Sequence, residues 1–171
     1  MLSKEELKSI IDEAEKERAD KVYPTRKLID EMLTLVRKFI KDKKRIIYGG
    51  MAQNFHLERK GDPIYDETVV ADYDVYSPMP VNDAVEMANI LHENGFKYIR
   101  ASEARHNKTY TVFAETYPVI DLTYMPNNIY NKMITITDND NNSLTYELRI
   151  TNVDFMTVSY THLRAHETDS Y

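Results

Sequence analysis

A strand-like segment of this sequence carries two acidic residues at alternate positions. Residues 70–76 read Val-Ala-Asp-Tyr-Asp-Val-Tyr. Side chains alternate between the two faces of a strand, so Asp72 and Asp74 point to the same face, about 6.6 Å apart along the backbone. Tyr73 and Val75 then point to the other face, into a core. The pattern predicts a sheet with an acidic face and an apolar face.

A second strand-like segment, residues 118–123, carries Asp121 between apolar neighbours. Carboxylates placed side by side repel one another unless a cation lies between them. Mg²⁺ is a hard ion that takes oxygen ligands and binds substrate phosphates. The acids therefore predict a site for two divalent ions, bridged by Asp72 and Asp74. Asp121 would complete the site nearest an attacking hydroxyl, whose proton it could accept.

A glycine pair, Gly49-Gly50, lies between a short apolar strand and a predicted helix. Backbone N–H groups and the helix dipole bind anions at such a place, and glycine lets a triphosphate approach the main chain. Gln53 and Asn54, one turn into the helix, are candidates for contacting phosphate or sugar. A plain role as polar residues on the helix face is an equal alternative for both.

Each of these features has a simpler explanation when taken alone. A glycine pair after a strand is most often a tight turn. An Asp-x-Asp strand can be a solvent-facing edge, and Asp121 can be a turn former or a salt-bridge partner. Their order along the chain, on strand-like elements, favours nucleotidyl transfer, which depends largely on positioning and charge stabilisation.

Composition limits the classes of protein to consider. A chain of 171 residues with 42% hydrophobic residues can form one domain with a core. The net charge of -6 argues against a protein that coats nucleic acid, but a metal-bridged nucleotide site remains possible. Cysteine is absent, which excludes disulfides and Cys-based zinc sites. No apolar run approaches the length of a membrane span and the N-terminus lacks a signal-peptide core, so we expect a soluble, intracellular protein.

The remaining patterns predict an α+β fold with a mixed, mostly antiparallel sheet, acids on one face and helices against the other. Ser3 and Glu6 form a capping box for a charged surface helix that reaches about residue 20. An apolar stripe predicts a second, buried helix with Pro24 in its first turn. Helices are also predicted at 51–57 and 81–94, the latter closed by Gly95, and strands at 45–48, 69–76, 96–101, 109–114, 117–125, 134–137 and 144–150.

Two further segments need a separate interpretation. Residues 105–108 form a polar hairpin tip, for which we favour an exposed loop over a contact with phosphate or RNA. Residues 158–168 resemble a translated sequencing adaptor, so we expect the natural chain to be recorded only to about residue 156. His162 and His166, although spaced like a metal pair, receive no role on that interpretation.

The motifs together resemble the DNA polymerase β-type nucleotidyltransferase superfamily. That family combines a hydrophobic strand ending in Gly-Gly or Gly-Ser, an Asp-x-Asp or Asp-x-Glu strand and a later acidic strand, which correspond here to residues 46–50, 72–74 and 120–122. A closer resemblance is to the poly(A) polymerase catalytic subunits of large DNA viruses, of the poxvirus and mimivirus kind. The segments that carry it are residues 45–57, 71–77 and 119–130.

This resemblance implies transfer of AMP from ATP to an RNA 3′ end, with release of pyrophosphate, in mRNA polyadenylation. Asp72, Asp74 and Asp121 match the catalytic and metal-binding acids, which would hold two Mg²⁺ (or Mn²⁺) ions. Gly49 and Gly50 match the triphosphate-binding turn. ATP and RNA would be the partners, with no membrane, and the location would be cytoplasmic, in the host cytoplasm or virion.

Together with the capping box and the adaptor-like segment, this resemblance divides the chain into an N-terminal charged helix (1–22), a C-terminally truncated nucleotidyltransferase catalytic domain (23–156) and an expected artefactual tail (157–171). Two departures from the family pattern stand out. Gly50 replaces the commoner serine, which removes a hydroxyl donor to phosphate, and the stretch from Gly50 to Asp72 is longer than usual. Such polymerases also continue into helical parts that hold base and RNA, so the activity of this piece alone is an open question.

Other functions stay open at this point. The acceptor could be a tRNA, a small molecule such as an aminoglycoside, or a protein hydroxyl. A module that binds nucleotide without turnover is the alternative outside enzymes.

Overall fold

The computed structural model describes residues 24–65, 72–138 and 148–152, together with Lys8. The predicted N-terminal helix, apart from Lys8, and the tail over residues 157–171 lie outside the described residues. The same holds for residues 139–147, which include most of the predicted tip of the last hairpin. Those expectations stay predictions.

The described residues form a seven-stranded sheet in the order β3-β4-β5-β2-β1-β7-β6. The strands are β1 (Ile46–Tyr48), β2 (Tyr73–Ser77), β3 (Arg100–Glu103), β4 (Thr109–Ala114), β5 (Tyr117–Tyr124), β6 (Thr135–Asp138) and β7 (Leu148–Thr151). The helices are α1 (Arg26–Asp42), α2 (Gly49–Glu58), α3 (Pro80–Glu93) and the single turn α4 (Asn127–Tyr130). Strand β1 is parallel to β7 and β2 is parallel to β5, whereas the other neighbours are antiparallel. The prediction of a mixed, mostly antiparallel sheet is confirmed.

The large core lies on one face of the sheet, under the three longer helices. Tyr73 and Val75 of β2 are buried in this core, as the alternation predicted. Helix α1 contributes Met32, Val36 and Ile40, which are fully buried and lie one turn apart. A smaller cluster forms around Ile46, Met125 and Tyr130, next to α4. Because Ile46 and Ile47 are consecutive in β1, this cluster lies on the face opposite the core.

Helix α1 begins at Arg26, two residues after Pro24, so the proline lies outside its first turn. Its N-cap is Thr25, whose Oγ1 accepts a hydrogen bond from the Leu28 N–H at 3.3 Å. Pro24 therefore precedes the cap, and the prediction that places it in the first turn is wrong. The physical reason is that threonine offers a side-chain acceptor to the unpaired N–H groups of the first turn.

Helix α3 is closed by the predicted glycine, Gly95, which directly follows the C-cap residue Asn94. Gly95 has a φ of +88°, and its N–H donates to the His92 carbonyl at 3.0 Å. The Phe96 N–H donates to the Leu91 carbonyl at 3.2 Å, which completes a Schellman motif. Strand β3 then begins only at Arg100, later than predicted, because Tyr98 adopts a φ of +52° that a strand cannot continue through.

A buried ion pair joins α3 to the start of β1. The Arg45 guanidinium donates from Nε and Nη2 to the two Asp83 carboxylate oxygens at 2.6 Å and 2.8 Å. The two side chains are only 12% and 4% exposed. The Ser77 hydroxyl, at the end of β2, also donates to the Asp83 carboxylate. Asp83 thus holds three elements together by charge-assisted hydrogen bonds.

No helix in the described part of the chain combines the length and the apolar character needed to cross a membrane.

Asp83→Asn is expected to lower the free energy of unfolding by about 3 kcal/mol, because it leaves the Arg45 charge buried opposite a neutral amide. Urea unfolding followed by circular dichroism measures the change. Asp42→Asn is the matched control, since Asp42 pairs with Lys38 at 2.7 Å on the exposed face of α1. It should cost less than about 1 kcal/mol. Equal costs for the two variants would contradict a stabilising role for the buried pair.

Candidate functional site

The register of three central strands brings two of the predicted acids together. Asp74 of β2 lies opposite Tyr48 of β1 on one side and opposite Asp121 of β5 on the other. Residues that face one another in neighbouring strands project from the same side of the sheet. Asp74 and Asp121 therefore lie next to one another on the face away from the main core. Asp72 directly precedes β2 rather than lying within it, and its side chain is exposed.

The three acids share one electrostatic environment. The pKa of Asp74 is raised from 3.8 to about 7, mainly by burial and also by the charges of Asp72 and Asp121. The pKa of Asp121 is raised mainly by burial and also by the charge of Asp72. A hydrogen bond from Thr111 and the nearby His106 oppose that rise. The carboxylates are therefore close enough to repel one another, which is the condition that a divalent cation relieves.

The glycine pair forms the first turn of α2, directly beside Asp74. Gly49 has a φ of +68°, and a Cβ on this residue would overlap the Asp74 carboxylate. The main chain of the turn thus packs against the acid with no room for a side chain. A helix N-terminus, which favours anions, lies here beside a group of anionic side chains. A metal-bound phosphate suits both, because the ion can face the acids and the phosphate the helix.

Tyr48 and Tyr76 form an aromatic pair beside Asp74. Their rings stack with centroids 4.0 Å apart, and the Tyr48 hydroxyl is hydrogen-bonded to Thr123 Oγ1 at 2.7 Å. Burial raises the pKa of Tyr48, with smaller contributions from the charges of Asp74 and Asp121. Tyr48 therefore stays neutral, and its ring is held in place where β1 leads into the glycine turn.

Asn54 and Gln53, the predicted nucleotide-contacting residues, lie on α2. The Asn54 amide oxygen accepts a hydrogen bond from the Tyr65 N–H at 2.9 Å, so this residue holds the loop that follows the helix. Gln53 is half-buried. Their contact with a nucleotide stays a prediction.

Sequence reasoning missed Tyr65, and for the tip that carries His106 it favoured an exposed loop over a contact at the site. Tyr65 lies with its hydroxyl against Gly50, and His106 is close enough for its charge to lower the pKa of Asp121. The tip that carries His106 is exposed, as expected, but it also reaches the electrostatic environment of the acids. Nothing in the local sequence marks Tyr65, because its contact with Gly50 joins two different segments of the chain.

The donor set at this site fits divalent ions such as Mg²⁺. Carboxylate oxygens are the preferred protein ligands of Mg²⁺, which usually keeps waters and takes further ligands from substrate phosphates. Among the residues that the structure describes, no three acidic or histidine side chains are already arranged as a metal site. The assignment of Asp72, Asp74 and Asp121 as ligands therefore stays a prediction, with phosphate oxygens expected to complete the coordination.

Asp74→Asn should remove a pH-dependent loss of stability. In EDTA, the Asp74 carboxyl group loses its proton at a lower pH in the unfolded chain than in the folded protein. The free energy of unfolding therefore falls as the pH rises from about 4 to about 7, and then levels off. The variant lacks this contribution, so its Tm should exceed that of the wild type increasingly between pH 4 and pH 7. Added Mg²⁺ should raise the Tm of the wild type only.

Differential scanning fluorimetry across this pH range gives the measurement, with the exposed Asp42→Asn as control. A Tm of Asp74→Asn at or below that of the wild type at pH 8 would contradict the predicted repulsion.

Gly49→Ala should be more harmful than Gly61→Ala. Both glycines have a left-handed φ, +68° and +80°, so each substitution costs about 1–2 kcal/mol of backbone strain. Nothing lies within 4 Å of a Cβ at Gly61, whereas a Cβ at Gly49 overlaps the Asp74 carboxylate. The excess loss in urea unfolding therefore measures the contact with Asp74. Equal losses in the two variants would show that the turn can move away from the acid.

Comparison with known proteins places this chain in a family. A family model described as the poly(A) polymerase catalytic subunit matches residues 34–169. The match runs past residue 156, and the assignment of the last residues as an artefactual tail stays a prediction. A putative poly(A) polymerase catalytic subunit of African swine fever virus (strain Badajoz 1971 Vero-adapted) is 45% identical over 109 residues, which cover 64% of this chain and 23% of that protein. The corresponding protein of Acanthamoeba polyphaga mimivirus is 35% identical over 135 residues, covering 78% and 23%.

The fold is also that of a solved structure. The crystal structure of the Megavirus polyadenylate synthase superposes with a TM-score of 0.74 and 30% sequence identity, covering 91% of this chain and 30% of that chain. This likeness confirms the predicted nucleotidyltransferase fold. The chain spans about a quarter of the length of the two viral relatives. On these matches, the chain belongs to the poly(A) polymerase catalytic subunit family.

Proposed function

We propose that this domain binds ATP together with divalent ions and transfers AMP to the 3′ hydroxyl of RNA, with release of pyrophosphate. The observation that carries the proposal is the position of Asp74, between Asp121 on the neighbouring strand and the glycine turn at the start of α2. Membership of the poly(A) polymerase catalytic subunit family supports the choice of AMP as the transferred group and RNA as the acceptor.

The acids and the glycine turn have complementary tasks in this reaction. When bound, divalent ions supply Lewis acidity for the attacking oxygen and charge neutralisation for the leaving pyrophosphate. Asp72, Asp74 and Asp121 would hold the ions. Gly49 and Gly50 would bring the main chain against the triphosphate, where the N–H groups of the first turn of α2 bind anionic oxygen.

Each residue at the site would then act by position and charge. Asp121, on β5, would lie nearest the RNA hydroxyl and accept its proton. Asp74 would set the distance between this hydroxyl and the phosphate turn, because it lies against Gly49 and pairs in register with Asp121. Most of the rate enhancement of such a transfer comes from positioning and electrostatic stabilisation.

The viral relatives also support a location. Because they are proteins of large DNA viruses, we infer that this chain acts in the cytoplasm of an infected host or in the virion. The net charge of -6 argues against a protein that coats nucleic acid in general, whereas at a metal-bridged nucleotide site the ions would carry the positive charge.

The double variant Asp72→Asn/Asp74→Asn should lower AMP transfer on the order of 10³-fold or more, because it removes two of the charges that hold the ions. The measurement is incorporation of α-³²P-labelled ATP into an RNA primer with Mg²⁺, alongside equilibrium binding of Mg·ATP. Asp42→Asn, an exposed carboxylate on α1, is the matched control and should retain wild-type values.

The outcomes separate the alternatives. Label that appears in a tRNA, an aminoglycoside or a protein in preference to the RNA primer would reassign the acceptor. Binding of Mg·ATP without pyrophosphate release would favour a nucleotide-binding module. Unchanged transfer in the double variant would overturn the assignment of the acids.

A further inference from the structure

Tyr65 occupies the space in which a side chain on Gly50 would lie. A Cβ on Gly50 would overlap the Tyr65 hydroxyl oxygen. This Cβ would also lie 3.3 Å from Cζ and 3.7 Å from Cε2 of the tyrosine ring. Gly50 is the second residue of α2, in the turn that packs against Asp74. The hydroxyl of a residue from the following loop is therefore located where a serine at position 50 would place its own.

The position of Tyr65 is held by a second contact. Its backbone N–H donates to the Asn54 amide oxygen at 2.9 Å, one turn further along α2. The side chain is half-buried, although the residues just before it, from Gly61 to Ile64, are exposed. Helix α2 therefore holds the main chain of Tyr65 through Asn54, and the Tyr65 hydroxyl lies against Gly50 in the first turn of the same helix.

A neutral hydroxyl suits this location chemically. Asp74 lies against Gly49, so a lysine or arginine beside the turn would pair with the carboxylate rather than with phosphate. A phenol has no charge at neutral pH and can donate one hydrogen bond. Placed at a helix N-terminus, it adds one donor to the N–H groups that already favour an anion.

We propose that the Tyr65 hydroxyl donates a hydrogen bond to a phosphate of the bound nucleotide and thereby supplies the donor that Gly50 lacks. Tyr65 is then a phosphate-binding residue, and Asn54 positions it through the loop. This inference rests on the proposed function of the glycine turn. The opposing interpretation is that Tyr65 covers the turn and must move before phosphate can enter.

The two interpretations predict opposite changes in phosphate affinity for the substitution Tyr65→Phe. Tyr65→Phe should weaken binding of Mg·ATP and of Mg·tripolyphosphate by about 10-fold or more, as expected for loss of a hydrogen bond to a charged group. It should leave binding of adenosine unchanged, because adenosine has no phosphate. A covering role predicts the reverse, with equal or tighter binding of tripolyphosphate in Tyr65→Phe.

A rescue variant tests the position of the hydroxyl. Gly50→Ser alone should weaken phosphate binding, because the tyrosine side chain still occupies the space that the serine side chain needs, so neither hydroxyl can take its place beside the phosphate. Tyr65→Leu alone should weaken it as well, because it removes the donor. In Gly50→Ser/Tyr65→Leu the overlap is gone and the serine provides the hydroxyl, so affinity for Mg·tripolyphosphate should return to within a few-fold of the wild type.

Isothermal titration of the 171-residue chain gives these affinities, with Tm values as a folding check. Tyr98→Phe, which alters a tyrosine that is 72% exposed, is the matched control and should bind like the wild type. Parallel loss of ATP and adenosine binding in Tyr65→Phe would indicate a structural role and overturn the inference. If the wild type binds ATP and Tyr65→Phe binds it equally well, only this inference fails. If the wild type binds neither ATP nor tripolyphosphate, both this inference and the proposed function fail.

Discussion

The pairing of β2 between β1 and β5 determines the position of every group at the candidate site. It places Asp74 opposite Tyr48 and Asp121, and it brings the carboxylate against the glycine turn. A shift of one residue would turn Asp74 into the core and expose its buried neighbours Tyr73 and Val75. Burial of those two side chains therefore holds the acids on the opposite face, although the acids themselves repel one another.

This arrangement puts binding and stability in opposition. The carboxylates of Asp74 and Asp121 are partly removed from water and lie near other negative charges, and the raised pKa values record that cost. Such conflicts between local preference and global fold are typical of functional sites. Elsewhere the chain uses the same chemistry for stability, since the buried carboxylate of Asp83 is matched by Arg45 and the Ser77 hydroxyl.

Features that depend on neighbours in the sequence could be predicted from it. Alternation located Tyr73 in the core, and the glycine after α3 marked the end of that helix. The site was predicted as far as its strands and the glycine turn. Predictions were less accurate where two nearby residues compete, as Pro24 and Thr25 do at the start of α1, or where Tyr98 takes an unusual φ. Contacts between distant segments, such as Tyr65 with Gly50, leave no local pattern and require coordinates.

The parallel pairing of β1 with β7 has a consequence for synthesis of the protein. Ile46 and Ile47 lie beside Arg149 and Ile150, and the His56 imidazole is hydrogen-bonded to the Thr151 carbonyl at 2.8 Å. One edge of β1 therefore has no partner in this sheet until the ribosome has released β7. Pairings over such separations in sequence form slowly, and unpaired edges invite aggregation. The nascent chain thus exposes this edge of β1, the strand that leads into the glycine turn, until residues 148–151 have left the ribosome.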